Sequence, residues 1–424
     1  MDQTNTNSEL TFAAYVGFDW ADQKHAGALA TAEGQRETFE LEQTPEALDA
    51  WASKLRERFG GQRIAVCLEQ SKGALIYGLM KYEFIVLYPV NPKQAKRFRE
   101  AMQPSGVKND PADAKFILEL VLKHRDRLHA WRPDDPQTRL IGQLAEDRRG
   151  LVDTRTQLSN ALKSRLKQYF PLALDVLGEL TTELACQFLL RWSSLEELQQ
   201  EDPEEVAAFY RMQHCYHPKL IAERQQKIAQ ARPLTNDVAI VQSGRRLVRA
   251  LAAQMLTLLK PIHQYEEELE RLMTQHADAK IFQSLPGAGD ALAPRLLAAF
   301  GTDRDRLENA AQMEQISGIA PVTLQSGKTT CEVRRRWACN HFLRQTFQEF
   351  AQHSMGKSAW AKAYYDMTRS RGLKHHAAVR ALAFKWIRII YRCWKDRTLY
   401  NEAHYFQQLY QKRSPLLQFM GSAK

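Results

Sequence analysis

The chain has 424 residues, 44% of them hydrophobic and 25% charged, which describes a globular protein too long for one ordinary core. Its longest apolar runs fall short of a membrane span, and its polar first residues, Met1 to Ser8, do not read as a secretory signal, so a cytoplasmic location is expected. The formal net charge is +10, but from Cys331 to Tyr400 there are 15 Lys and Arg against 4 Asp and Glu, while the rest of the chain carries 44 basic and 45 acidic residues. One late segment therefore holds the basic excess, interleaved with Trp337, Phe342, Trp360, Tyr364, Tyr365, Trp386 and Trp394. Such a face suits a polyanion, most simply nucleic acid, and it suits equally a solvated helical surface over an aromatic core. The six cysteines (Cys67, Cys186, Cys215, Cys331, Cys339, Cys393) share no repeated spacing and read as reduced thiols.

Residues 12 to 130 alternate strand and helix signals. Tyr15 to Asp19 reads as a buried strand ending in a carboxylate, followed by a hairpin into a second strand at Ala26–Ala30 and a third at Thr38–Leu41. Thr44 and Pro45 open a helix with an apolar stripe at Leu48, Trp51 and Leu55. Arg63 to Glu69 is an apolar strand that again ends in a carboxylate; a helix from Gly73 to Lys81, a strand at Phe84–Tyr88 and a basic helix from Lys93 to Met102 follow. Asp110-Pro111 starts another helix, with Asp113 one turn on. Capping alone accounts for Asp110, and the helix dipole for Asp113. With Asp19 and Glu69, however, the four acids make a candidate oxygen site for one or two hard cations.

From Arg139 to Phe170 the pattern is purely helical, with a leucine stripe, and a second long helix runs from Val238 to about Met273. Their spacing predicts an antiparallel coiled coil, with a kink or break at Pro261. Between them, residues 171–237 are helical in places; His214, Cys215 and His217 with Cys186 match no zinc-finger spacing. Leu285-Pro-Gly287-Ala-Gly289 ahead of a helix from Ala291 to Phe300 looks like a helix-hairpin-helix contact to a DNA backbone, and it serves equally as an interhelical turn. Ser326-Gly327 sits in a polar loop near Lys328 and just ahead of Arg334, Arg335 and Arg336. A serine before glycine is an ordinary turn former; beside three guanidinium groups it is also a place where a phosphodiester can be attacked. Ser317 lacks such a basic surround.

In order, an acid-bearing α/β domain, a helical pair, Leu-Pro-Gly-x-Gly, Gly318-Ile-Ala-Pro321, a Ser-Gly loop and Asn340-x-x-Leu-Arg344 closely resemble the DEDD transposases of the insertion-sequence family numbered one hundred and ten, also called bridge-RNA-guided recombinases. The likeness covers residues 13–130 and 279–395 well and the middle only in kind. It implies an RNase H-like (RuvC-like) N-terminal domain over residues 1–133, a helical coiled-coil region over 134–278, a transposase domain over 279–395 and a C-terminal tail over 396–424. It places a Mg²⁺ (or Mn²⁺) tetrad on Asp19, Glu69, Asp110 and Asp113, and a covalent nucleophile on Ser326. Lys328, Arg334, Arg335, Arg336 and Arg344, with Gly287 and Gly289, are the expected nucleic-acid contacts. The expected partners are donor and target double-stranded DNA, a structured guide RNA, and further copies of the chain in a dimer or tetramer. The chain departs from many relatives between Ser326 and Asn340, where Lys328 to Glu332 and Trp337 to Cys339 replace a more glycine-rich stretch. The competing readings are a metal-dependent nuclease that activates water, and a non-catalytic nucleic-acid-binding protein. An actin-like sugar kinase would need paired glycine-rich phosphate loops, and the sequence has no such pair.

Overall fold

The computed structural model describes residues 11–69, 72–102, 110–326 and 330–420; the side chains of 102, 110–111 and 324–333 lie outside that description. The chain divides into two compact units, the first ending at Asp134 and the second beginning at Asp135.

The first unit is built on a five-stranded mixed sheet: β1 (Ala14–Asp19), β2 (Lys24–Thr31), β3 (Arg36–Glu42), β4 (Ile64–Leu68) and β5 (Ile85–Pro89), in the order β3-β2-β1-β4-β5. β1, β2 and β3 are antiparallel neighbours, whereas β4 and β5 run parallel to β1. This arrangement is consistent with an RNase H-like domain. Helix α1 (Pro45–Arg58) starts where the sequence signals it, with the Thr44 hydroxyl accepting from the Ala47 amide and Pro45 in the first turn. Helices α2 (Ala74–Leu79), α3 (Pro92–Met102) and α4 (Asp110–His124) complete the unit. Because side chains alternate along a strand, the sheet feeds two cores. Val16, Phe18, Val66 and Leu68 pack with Leu48, Leu55, Leu75 and Leu79 on one face. Ala28, Ala65, Cys67 and Tyr88 pack with Ala114, Ile117, Leu118 and Val121 of α4 on the other.

The second unit is mostly helical. Helix α5 (Pro136–Tyr169) leads into the short helices α6 (Leu172–Leu177), α7 (Glu183–Arg191), α8 (Leu195–Gln200), α9 (Pro203–Met212) and α10 (Pro218–Gln230), then the long α11 (Val238–Gln275). Contacts fix α5 and α11 as antiparallel: the Arg165 guanidinium bonds the Ser243 hydroxyl at 3.0 Å, Arg148 bonds Glu266, and the Gln137 amide donates to the Leu272 carbonyl. Of the kink or break expected at Pro261, the break is not seen, and α11 is one helix through it. Only the carbonyl of Thr257 loses its amide partner there, and Thr257 is exposed to water.

Helices α12 (Ala279–Gln283), α13 (Gly289–Phe300) and α14 (Ala310–Ile316) precede a hairpin of β6 (Val322–Ser326) and β7 (Thr330–Arg334). Helices α15 (His341–Ser354), α16 (Ala359–Ser370), α17 (His375–Lys395), α18 (Glu402–Gln411) and α19 (Leu417–Met420) follow. Three tryptophans of the basic segment are core residues with satisfied N–H groups: Trp360 donates to the Tyr400 hydroxyl, Trp386 to the Ser354 hydroxyl and Trp394 to the Gly301 carbonyl. The segment after residue 395 is part of this core, since Tyr405 lies 4.7 Å from the Trp360 ring and Leu416 is buried. No helix among the described residues is long and apolar enough to cross a membrane.

Candidate active site

In the first unit the site begins with strand register. Phe18 of β1 pairs with Leu68 of the parallel β4, so Asp19 and Glu69 are the next residues at the same ends of two adjacent strands. Gly17 and Cys67, two residues earlier, face α4, and alternation turns both carboxylates to that same side. The approach of α4 depends on Gly17: a Cβ there would lie 2.3 Å from the Leu118 nitrogen and 2.5 Å from the Ala114 carbonyl oxygen. Asp113, next to Ala114 and 6% exposed, is thereby delivered to the strand ends.

Asp19, Glu69 and Asp113 line one cleft of about 440 Å³, with Lys93, Lys96 and Arg99 of α3 on its opposite wall. The structure thus brings together three of the four expected acids. The fourth, Asp110, opens the same helix, and its side chain lies outside the described residues. Arg99 donates from Nη1 to Asp113 Oδ2 at 2.6 Å, and this bond, with the charges of Asp113, Glu69 and Glu100, holds the guanidinium above its ordinary pKa. The other oxygen, Asp113 Oδ1, is buried with no hydrogen-bond partner. A carboxylate oxygen in that position is costly unless a cation or donor meets it, so the donor set is chemically suited to a hard divalent cation. Among the described residues, no three His, Cys, Asp or Glu side chains stand close enough together to hold a metal jointly. Arg99 and the basic wall were not singled out from the sequence; the signal for them was the basic helix after Pro92.

His25, left without a role by the sequence, closes the hairpin beyond Asp19. It is fully buried, accepts the Ala21 amide at Nδ1 (3.2 Å) and meets the Gln43 side chain through Nε2 (2.5 Å). The Nδ1 acceptor role makes the ring neutral with its proton on Nε2, and burial pushes its pKa below the ordinary histidine value.

In the second unit Ser326 is the last residue of β6 and pairs with Thr330 across the hairpin, while Val322 pairs with Arg334 at its base. The Ser326 side chain, Gly327 and Lys328 lie outside the described residues. Four residues of strand separate Ser326 from the arginine end, roughly 13 Å at the usual rise. Arg335 lies over the exposed ring of Trp337, with the guanidinium carbon 5.0 Å from its centre. Arg344, in the first turn of α15, reaches back to the Arg336 carbonyl. Ser317, by contrast, is fully buried and donates to the Met313 carbonyl at 2.6 Å. In the Leu285–Gly289 turn, Gly287 has φ +83° and sits against the backbone of His353 and Ser354, so its lack of a side chain serves helix packing. Gly289, at φ +53°, faces open space.

The His214, Cys215, His217 and Cys186 group does not converge. Cys186 is buried, His214 bonds Tyr216, Cys215 is met by Arg224, and His217 caps α10.

Comparison with known proteins matches two separate stretches of the chain. A sequence model of the DEDD transposases of IS110 matches residues 16–171, which include all four acids, and that of the IS116/IS110/IS902 transposase family matches residues 279–366, which include Ser326 and Arg344. The chain is 27% identical to the mini-circle putative transposase for IS117 of Streptomyces coelicolor over 95% of this chain and 99% of that one. It is 24% identical to an uncharacterized protein of insertion element IS110 from the same organism, over 91% and 95% of the two chains. An uncharacterized protein of insertion element IS900 from Mycobacterium paratuberculosis is 26% identical over 70% of this chain and 73% of its own. These matches support a DNA-processing enzyme, a transposase. Both matched segments point to the transposases of the IS110 kind.

Proposed function

We propose that this transposase cuts and rejoins DNA with a divalent cation, Mg²⁺ or Mn²⁺, in the cleft of the first unit and Ser326 as nucleophile, guided by a structured noncoding RNA that pairs with donor and target DNA. The observation that carries the metal half is the shared cleft of Asp19, Glu69 and Asp113, with Asp113 Oδ1 buried and unpartnered. Those residues and Asp110 would hold the cation, which supplies polarisation of the scissile phosphate. The chain's own residues do the rest. The Ser326 hydroxyl attacks phosphorus, a P–O bond to serine forms, the strand's bridging oxygen leaves and takes up a proton, and a second strand's hydroxyl later displaces serine. The phosphoserine link conserves the phosphodiester for rejoining. Arg334, Arg335 and Arg336 follow at the hairpin's base; they, Lys328 and Arg344 hold backbone phosphates, and the Leu285–Gly289 turn serves as a further helix-hairpin-helix backbone contact. The acidic and serine halves come from different copies in a dimer or tetramer, acting in the cytoplasm.

The deciding experiment traps a protein–DNA adduct that survives denaturation. Wild type forms it and Ser326→Ala does not; normal cleavage and strand transfer by Ser326→Ala would overturn the serine role. A nuclease that activates water would cleave without an adduct. Sequencing RNA that co-purifies with the protein tests the guide, which must be complementary to two DNA sites.

A further inference from the structure

Four tryptophans lie in the basic segment from Cys331 to Tyr400, and one of them stands apart. Trp360, Trp386 and Trp394 are fully buried with their N–H groups bonded, whereas Trp337 is 67% exposed. The backbone on either side of it is pinned. The Asn340 amide donates to the Ile316 carbonyl at 2.9 Å, and the Arg344 guanidinium reaches the Arg336 carbonyl at 3.4 Å. Gly318 packs so closely on Cys339 that a Cβ would stand 2.5 Å from its Sγ. The ring itself is backed by Arg335, whose guanidinium carbon lies 5.0 Å from its centre. That cation–π contact orients the indole while most of its surface stays in water. A large apolar ring held still in this way gains free energy from whatever covers it. Its setting narrows what that is. Arg334, Arg335 and Arg336 precede it, and the segment carries 15 Lys and Arg against 4 Asp and Glu. A flat group with an apolar face, borne on a polyanion, fits both features, and a nucleobase is such a group.

We propose that Trp337, backed by Arg335, is a stacking platform for one unpaired base of the DNA strand, a few nucleotides from the phosphate attacked by Ser326. This rests on the strand-transfer reading above and adds to it a strand-binding residue that touches no reacting atom. Position decides which base. Trp337 follows the Arg334 end of the hairpin, roughly 13 Å of strand from Ser326, too far for the base at the attacked phosphate. Pairing state decides which strand. A base inside an intact duplex is covered on both faces by its neighbours, so only a strand opened for exchange offers a free face to the indole. Stacking of this kind tolerates any base, because each has a π-face, and it supplies grip without reading sequence.

The test is binding of the full-length protein to a short labelled single-stranded DNA, with a fully paired duplex and a single-stranded RNA of the same length as further arms. Trp337→Ala is expected to weaken single-stranded DNA binding about fivefold or more. The slope of log K against log salt should not change, since stacking releases no counterions. Trp337→Phe should keep most of the affinity, while the quenching of tryptophan emission that wild type shows on binding largely disappears. Both variants should melt with wild type, because the ring lies outside the core. If Trp337→Ala melts lower, the phenylalanine variant decides: retained affinity with lost quenching supports the platform, and retained quenching overturns it. Unchanged single-strand affinity in Trp337→Ala, an equal loss on the duplex, a loss confined to RNA, or a lowered salt slope overturns it too. So does wild-type binding with an altered oligomeric state, which would make the ring a contact between copies. Adduct trapping is scored separately with Trp337 intact, so a failed serine mechanism is told apart from a failed platform.

Discussion

Gly17 of β1 lies so close to Leu118 of α4 that a Cβ on the glycine would stand 2.3 Å from the Leu118 nitrogen. This backbone-to-backbone approach puts the first turn of α4, with Asp113, beside the strand end that carries Asp19. Gly17→Ala is therefore expected to push the helix away. The overpacking should cost about 1–3 kcal/mol, and metal-dependent activity should fall more than stability does. Thermal melting and Mg²⁺-dependent cleavage measured on the same preparation check this; a wild-type melting temperature would show that α4 does not rest on Gly17.

On the metal reading proposed above, Arg99 and a divalent cation would compete for Asp113. Removing the guanidinium with Arg99→Ala leaves a carboxylate that is 6% exposed without its partner, so the cation-free protein should be destabilised. The rise in melting temperature on adding Mn²⁺ should then exceed that of wild type, because no side chain has to be displaced. If Arg99→Ala abolishes the Mn²⁺ effect, the arginine supports the site and does not compete for it.

His25 makes the first unit sensitive to acid. Its folded pKa lies below the ordinary value because burial disfavours the charged ring. The unfolded chain thus binds the proton first, and stability rises with pH through that interval. The contribution is fully present above the unfolded pKa of about 6.5 and is lost as pH falls through the folded pKa. Denaturation profiles of His25→Gln against wild type should converge at low pH; a constant gap between them would refute the assignment.

Glu349 balances Arg295 from α15, with Arg149 of α5 on its other oxygen at 3.2 Å. Glu349→Ala removes the counterion of a 3% exposed arginine, at a cost of roughly 3 kcal/mol or more. Urea unfolding measures it. A loss under about 1 kcal/mol would mean that the pair behaves as a surface bridge.

Much of this architecture was legible locally. Strands that end in Asp19 and Glu69, the Thr44-Pro45 start of α1 and the Asp110-Pro111 start of α4 are short-range signals, and the structure carries each element. The mixed sheet followed by a mostly helical remainder was equally readable from the change in periodicity. What escaped was of two kinds. Residues 171–237 do contain start signals, since Thr182, Ser194, Asp202 and His217 each cap a helix, but without a long apolar stripe they were passed over. Arg99 was visible only as one cation of the basic helix after Pro92, and His25 had no local signal of its role. Their importance comes from what lies opposite them after folding: Asp113 at fourteen residues' remove and Gln43 at eighteen. A periodicity argument sees one element at a time, and these are relations between elements.

The aromatic stack of Trp360, Trp386, Tyr400 and Tyr405 bears on how the protein is made. The cores of the first unit use no residue beyond Trp131, so that unit can close early in synthesis. The core behind the Ser326 hairpin waits for Leu416, and until then its three tryptophans have no finished shelter. A nascent chain therefore owns its acidic cleft well before its second unit has a finished core, and a ribosome that stalls late would yield a folded first unit with the second unformed.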